Sequence, residues 1–252
     1  MSKEARLMRG VLTVKEKKYL SPHYIRINLE GDDLPNFRNA KKGENNKIVI
    51  PKDKAVPLNL SGLSSGIGME EVHIRTYTMR DLDLEKKEMT IDFVAHGESG
   101  PASTWAIYAQ PGDQLGVLMK QREKQLYLAA DWYLFAGDHT ALPVISVMLE
   151  SLPYSAKGKA IIEVYSEEDV INMSSPPGID IQWIFNSSPG KKSILAGYLK
   201  NLELPADTSR FVFAAAEQSA IHDIQDFLKN SALHKSEWQT YSYWKFTEDK
   251  NG

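Results

Sequence analysis

The chain is 252 residues long, 42% hydrophobic and 25% charged, and its 30 basic against 33 acidic side chains leave a net charge of −3. That length suits one large domain or two of roughly 100 to 150 residues, and the balanced charge argues against nucleic acid as a main partner. There is no cysteine, which excludes disulfides, thiol nucleophiles, zinc–thiolate sites and cysteine-ligated iron–sulfur clusters. The start "MSKEARLMRG" lacks an apolar signal-peptide core and no window approaches 18 continuous apolar residues. The expectation is therefore a cytoplasmic protein with no membrane insertion. The six histidines, at 23, 73, 96, 139, 222 and 234, show no paired metal-ligand spacing, so no protein-bound metal is expected. A GxSxG elbow and a P-loop are absent too.

In chain order, the first half reads as strands. "LMRGVLTVKEKKYL" and "HYIRINLE" alternate and are joined across "SP"; "NKIVIPK", "HIRTYTMR", "EMTIDFVAHG" and "GDQLGVLMK" follow. Short alternating strands between turn residues predict a small antiparallel β-barrel. Between Pro51 and Val72 the Gly-, Ser- and Pro-rich "KDKAVPLNLSGLSSGIGMEE" is expected to be a mobile loop, of the kind that serves as a lid. After "KQREKQLYLAAD" the rhythm changes. "WYLFAGD", "GKAIIEVYS", "IDIQWIFN" and "RFVFAAAE" are short apolar runs that alternate with the helical spacing of "HTALPVISVMLESLP", "KKSILAGYLKNL" and "QSAIHDIQDFLKNS", before a last strand, "EWQTYSYWKF". That alternation predicts βαβ units and a parallel-sheet α/β domain. The expected division is a barrel over 1–122 and an α/β domain over 123–252, with a ligand in the cleft between them.

Four stretches bear chemistry. In "HIRTYTMR", Ile74, Thr76, Thr78 and Arg80 share one face of the strand and His73, Arg75, Tyr77 and Met79 the other. An arginine two residues from a tyrosine on one face suits a phosphate and a flat ring. In "DFVAHGESGPASTWAIYAQPGD" a strand ends near His96, and Pro101 opens a short helix over Ala102 to Ala109 whose first N–H groups suit a pyrophosphate. "FAGDHTALP" and "FAAAEQSAI" are strand–turn–helix junctions without the GxGxxG fingerprint of NAD-binding domains, and generic βα turns account for them equally well.

Together, in this order, these stretches resemble the siderophore-interacting protein family of flavin-dependent ferric-siderophore reductases, within the ferredoxin-reductase-like group. "RTYTMR" resembles its R-x-Y-T-x-R motif and "DFVAHGESGPASTWA" its D-[FIV]-V-x-H-G-x-x-G-P-A-x-x-W-A signature. "AGDHTALPVI", "AAAEQSAI" and "YSYWKF" are similar to its later segments, so the likeness spans roughly residues 5 to 246. The resemblance implies FAD held between a barrel and a nicotinamide-nucleotide domain, with NADPH or NADH as donor. By position, Arg75, Thr76, Tyr77 and Thr78 would hold the flavin and its phosphates, and Asp92, Val94, Ala95 and His96 would line its ring and ribityl region. Gly100, Ala102 and Ser103 would take the pyrophosphate. Asp138, Thr140 and Ala141 would lie by the adenine or the nicotinamide nucleotide, and Glu217 and Trp244 would close the cleft. His139, Ala216 and Lys245 depart from the family's usual acid, glycine and arginine. The first two bear on the reductant; Lys245 keeps a cation without the planar fork.

The run from Arg38 to Lys54 carries six basic and two acidic residues. It reads either as a solvated surface or as a cationic rim for an anionic ferric siderophore, with Lys47 and Lys245 as candidate substrate contacts. No acid–base or nucleophilic residue is assigned, because the flavin supplies the redox chemistry. Rival readings are a general flavin or ferredoxin–NADP-type reductase with a protein partner, and a module that binds flavin or siderophore without turnover. NADH, NADPH and ferredoxin remain alternatives as donor; Lys191–Lys192 is the one candidate for a 2′-phosphate contact.

Overall fold

The computed structural model describes residues 7–98, 100–121 and 125–247. The chain divides into two compact units, residues 1–124 and 125–252.

The first unit contains β1 (Leu7–Ser21), β2 (Tyr24–Glu30), β3 (Asn45–Pro51), β4 (Val72–Asp83), β5 (Glu88–Val94) and β6 (Gln114–Lys120). They close into a barrel in the order β1-β2-β5-β4-β3-β6. Period-2 patterning builds it: Ile25, Ile27 and Leu29 of β2 and Met89, Ile91 and Phe93 of β5 are all fully buried, with more polar residues between them. The 15 residues of β1 pair with β6 over Leu7–Thr13 and with β2 over Thr13–Ser21. Bulges near Lys15 and Leu20 let the one strand turn a barrel corner.

Helix α1 (Pro101–Tyr108) follows β5 and sends Ala102, Trp105 and Ala106 into the barrel core. Its C-terminal carbonyls are taken by lysines of other elements. Lys17 Nζ donates to the Ile107 oxygen at 2.7 Å and Lys54 Nζ to the Tyr108 oxygen at 3.2 Å. Cations there also complement the helix dipole.

Residues 52–71, expected to be a mobile loop, carry a packed apolar cluster. Leu60 and Leu63 are buried with Val49 against the outside of the barrel, and Leu58, Ile74 and Leu118 pack around them. A Cβ at Gly116 would lie 2.7 Å from Leu60, so this glycine of β6 makes room for the segment. Composition alone reads as a loop; the three leucines, spaced for neither helix nor strand, make it a packed one.

The second unit has a five-stranded parallel sheet in the order β11-β10-β7-β8-β9. Its strands are β7 (Trp132–Asp138), β8 (Lys157–Val164), β9 (Gly178–Phe185), β10 (Arg210–Glu217) and β11 (Trp238–Trp244). Helix α2 (Leu142–Ser151) packs on β7, whereas α3 (Leu195–Lys200) and α4 (Gln218–Lys229) form one cluster with Leu134, Ala136, Val212 and Ala214. Covered faces explain why β7 and β10 read as continuous apolar runs. The chain leaves β7 toward β8 and β9 on one side and returns to β10 and β11 on the other, which puts a topological switch point between the carboxyl ends of β7 and β10.

Candidate functional site

In the barrel unit the site begins with strand β4. Its first half, Val72–Thr78, pairs with β3, but its ladder to β5 runs only from Met79↔Ile91 to Asp83↔Glu88. A bulge at Arg80 interrupts this ladder one residue before its last pair, Met79↔Ile91. Beyond Met79 the β4–β5 seam is therefore open, and Arg75–Thr78 and Phe93–Val94 lie on its two sides.

The faces divide as alternation predicts. Tyr77 turns to the core side, 4.7 Å between ring centroids from Phe93, which in turn lies 5.6 Å from Trp105. Burial pushes the Tyr77 phenol well up, against the opposing pull of Arg75. Arg75 is exposed, and its one hydrogen bond among the described residues is Nη1 to the Ile74 oxygen at 2.9 Å. Thr76 lies on the other face, where its hydroxyl accepts from Lys47 Nζ at 2.5 Å, and Thr78 is buried on that same side.

Asp92 is engaged by the fold on both of its oxygens. Its carboxylate is 2% exposed and accepts both Arg26 Nε and Nη2 at 2.8 Å, with the Tyr24 hydroxyl at 3.1 Å and Arg80 Nε at 4.0 Å. Two guanidinium groups on one buried carboxylate leave a net positive charge beside the seam. Arg26 carries no signal in the sequence beyond an outward position on β2; its pairing with Asp92 comes from strand register.

The turn after β5 holds the helix start. Ser103 Oγ accepts from the His96 N–H at 3.0 Å and donates to the Gly97 oxygen at 2.7 Å. The hydroxyl of Ser103 is thus committed to the turn. Among the described residues nothing caps the backbone N–H groups of Ala102 and Ser103, which remain for an anion, since α1 has Pro101 at its start and no side-chain cap from Gly100. A Cβ at Gly100 would lie 2.9 Å from the tip of the exposed His96 ring, so a side chain here would displace that ring. Val94 is half-buried, Ala95 buried and His96 exposed.

A flavin dinucleotide fits this donor set: an exposed guanidinium for phosphate, uncapped helix N–H groups for pyrophosphate, and an aromatic ring beside an open strand edge. Arg75, Tyr77, Ala102 and the Ser103 backbone match it; the side chains of Asp92 and Ser103 serve the scaffold.

In the second unit the foreseen residues do come together, largely on one another. Asp138, at the end of β7, is 6% exposed. Its Oδ1 accepts from Thr140 N at 2.9 Å and Thr140 Oγ1 at 2.5 Å. Its Oδ2 accepts from Glu217 N at 3.0 Å and Trp244 Nε1 at 2.7 Å. One carboxylate thus ties β7, β10 and β11 across the switch point. Burial raises the Asp138 carboxyl above its ordinary range, against those hydrogen bonds. Glu217 caps α4, accepting from Ser219 N and Oγ, each at 2.5 Å, and from Phe246 N at 3.1 Å. Burial would raise its carboxyl, but these bonds hold it below the usual value. Ala141 is fully buried, its Cβ 2.4 Å from where a side chain on Gly137 would begin.

His139 is buried, with Nε2 3.7 Å from Asp169 Oδ2 and its ring 4.5 Å from that of Tyr165. Asp169 lies in the short helical turn Glu167–Asp169 that follows β8. Lys245, Lys191 and Lys192 are exposed. Gly190, at φ +90°, packs on the rings of Trp244 and Phe246 and brings the Lys191–Lys192 loop onto the end of β11.

A closed six-stranded barrel with an open β4–β5 seam, followed by a parallel sheet with a switch point, defines a ferredoxin-reductase-like flavoprotein fold. A ferredoxin–NADP+ reductase of Neisseria gonorrhoeae, solved with FAD and NADP, shares that fold at a TM-score of 0.65 and 12% identity over 94% of this chain and 99% of its own. Residues 13–122 match the siderophore-interacting FAD-binding domain and residues 130–247 the siderophore-interacting protein domain. The chain belongs to the siderophore-interacting protein family. It is 32% identical to ferric vibriobactin reductase ViuB of Vibrio cholerae over 97% of this chain and 93% of that one. A siderophore utilization protein from T. fusca superposes with a TM-score of 0.86 at 30% identity, covering 96% and 95% of the two chains. The siderophore-interacting protein SipS of Aeromonas hydrophila gives 0.82 at 29%, covering 96% and 93%.

Proposed function

We propose that the chain is an FAD-dependent ferric-siderophore reductase that delivers electrons from a nicotinamide nucleotide to chelated Fe(III) and releases Fe(II). The observation that carries this reading is the barrel's donor set, in a chain 32% identical to a ferric vibriobactin reductase. Residues 1–122 are the FAD-binding domain and residues 123–252 the NAD(P)H-binding domain of this reading. Bound FAD supplies the redox chemistry, taking a hydride and giving up single electrons.

The chain's own residues bind and orient. Arg75 holds phosphate, Tyr77 and the Val94–His96 segment take the flavin ring and ribityl region, and the Ala102 and Ser103 N–H groups take the pyrophosphate. The Arg26–Asp92–Arg80 cluster leaves positive charge beside the open seam, which favours added electron density there. Lys47 in the barrel unit and Lys245 in the second unit are the cations proposed for an anionic chelate. Lys42 and Lys54 of the basic run are already paired, with Asp81 and Asp113 at 2.5 Å, so the rim is narrower than the run of charge implies. Reduction loosens the iron because Fe(II) holds hard oxygen ligands less strongly than Fe(III).

A nicotinamide nucleotide donor implies a cytoplasmic location. A ferredoxin donor is the second reading, favoured by one observation: Asp138, Thr140, Glu217 and Trp244 already satisfy one another. The test is the anaerobic visible spectrum of the purified protein. Flavin bands that bleach with NADH or NADPH and recover on adding a ferric siderophore support the reductase. Bands that persist with both nucleotides but bleach with reduced ferredoxin support the second reading. A protein that cannot be loaded with FAD overturns both.

A further inference from the structure

Inside the barrel wall one polar side chain has no use in the fold. Asn46 is 2% exposed, and neither Oδ1 nor Nδ2 has a hydrogen-bond partner among the described residues. It shares the inward face of β3 with Ile48 and Ile50, both core residues. An unpaired buried amide destabilises a fold, and its neighbours on that strand face, Ile48 and Ile50, are aliphatic. Local packing therefore gives the amide no purpose.

Its position does. Asn46 is the register partner of Tyr77, on the same face of the β3–β4 pair. Tyr77 borders the stretch where β4 has left β5, so a flat ligand laid on its ring rests beside an open strand edge. Neighbouring strands lie about 4.8 Å apart, and a three-ring isoalloxazine is long enough to reach from β4 to the adjacent strand. A carboxamide offers donor and acceptor side by side. That pair is complementary to the imide edge of a flavin, where an N–H stands between two carbonyls. Trp105 supplies a second orphan on the same aromatic row. Its Nε1 is buried without a partner among the described residues, and its ring contacts Phe93, which contacts Tyr77.

We infer that Asn46 is a further flavin-binding residue, whose carboxamide pairs with the polar imide edge of the ring system held at Tyr77. The inference rests on the proposed FAD site and adds a contact to it. An amide that serves only the ligand has a signature that a structural amide lacks: its removal helps the empty protein and harms binding.

The experiment uses the full chain stripped of flavin, with Asn46→Val and Asn46→Ala as variants. FAD affinity is read by quenching of flavin fluorescence, and thermal unfolding is followed without FAD. The expected result is a dissociation constant at least tenfold higher in both variants, with Asn46→Val unfolding at the same or higher temperature than the parent when flavin-free. Unchanged FAD affinity in both variants overturns the inference, while the FAD reading stands on the parent's own binding. A flavin-free Asn46→Val of lowered melting temperature also overturns it, by showing that the amide serves the fold. Failure of the parent to bind FAD would sink the underlying flavin site instead.

Discussion

Replacing Asp138 by Asn tests the network that closes the end of the parallel sheet. The carboxylate accepts four hydrogen bonds, two on each oxygen, from Thr140, Glu217 N and Trp244 Nε1. An amide of the same size keeps one acceptor oxygen and turns an NH2 toward donors, whichever way it is flipped. Two bonds to a charged group are then lost, at about 1.5–3 kcal/mol each. Relief of the burial that raises the Asp138 carboxyl offsets part of this, leaving a net loss of about 2–4 kcal/mol. With a urea slope of about 2 kcal/mol per molar, the midpoint falls by about 1–2 M. Tryptophan fluorescence is a suitable probe, since four of the five tryptophans, Trp132, Trp183, Trp238 and Trp244, lie in the second unit. Trp244→Phe removes one donor and is expected to cost about 1–2 kcal/mol, with a coupling of about 1 kcal/mol or more to Asp138→Asn in a double-mutant cycle. A loss below about 1 kcal/mol for Asp138→Asn, additive with Trp244→Phe, would refute the view that this carboxylate ties the three strands.

Glu217 gives a pH dependence of defined sign. Its hydrogen bonds outweigh burial and lower its carboxyl from the ordinary 4.5, so its stabilisation is present above that pH and is lost as pH falls below it. The stability difference between the parent and Glu217→Gln should therefore shrink from pH 6 to pH 3; a constant difference contradicts the assignment. Asp138, raised by burial, works the opposite way, and taking the difference removes its contribution. Leu60→Ala should cost about 2–3 kcal/mol and open residues 52–71 to proteolysis, and unaltered cleavage would mean that the segment is not held by its leucines. Lys47→Ala should raise the half-saturating concentration of an anionic ferric chelate about threefold to tenfold, less so at high salt. FAD content should not change, and equal half-saturation would remove Lys47 from the substrate site.

Much of the fold was legible because it depends on local periodicity. Alternation in "YIRINLE" and "EMTIDFV" set which residues face the barrel core, and unbroken apolar runs such as "WYLFAGD" marked strands covered on both faces. Proline at the start of α1 and of α2 marked helix starts for equally local reasons. The faces of the Arg75–Thr78 strand were equally readable, since successive side chains on a strand must alternate.

What a polar side chain does once it is buried was decided by tertiary structure. Asp92 is a ligand candidate in the sequence; strand register sets it opposite Arg26 and makes it an anchor for two arginines. Asp138 and Trp244 are 106 residues apart and meet only because β10 lies between β7 and β11. Asn46 looks like one residue of a polar run, and only the β3–β4 register sets it beside Tyr77. Periodicity is a property of a few neighbouring residues, whereas a hydrogen-bond partner across a sheet depends on which strands the whole chain has brought together.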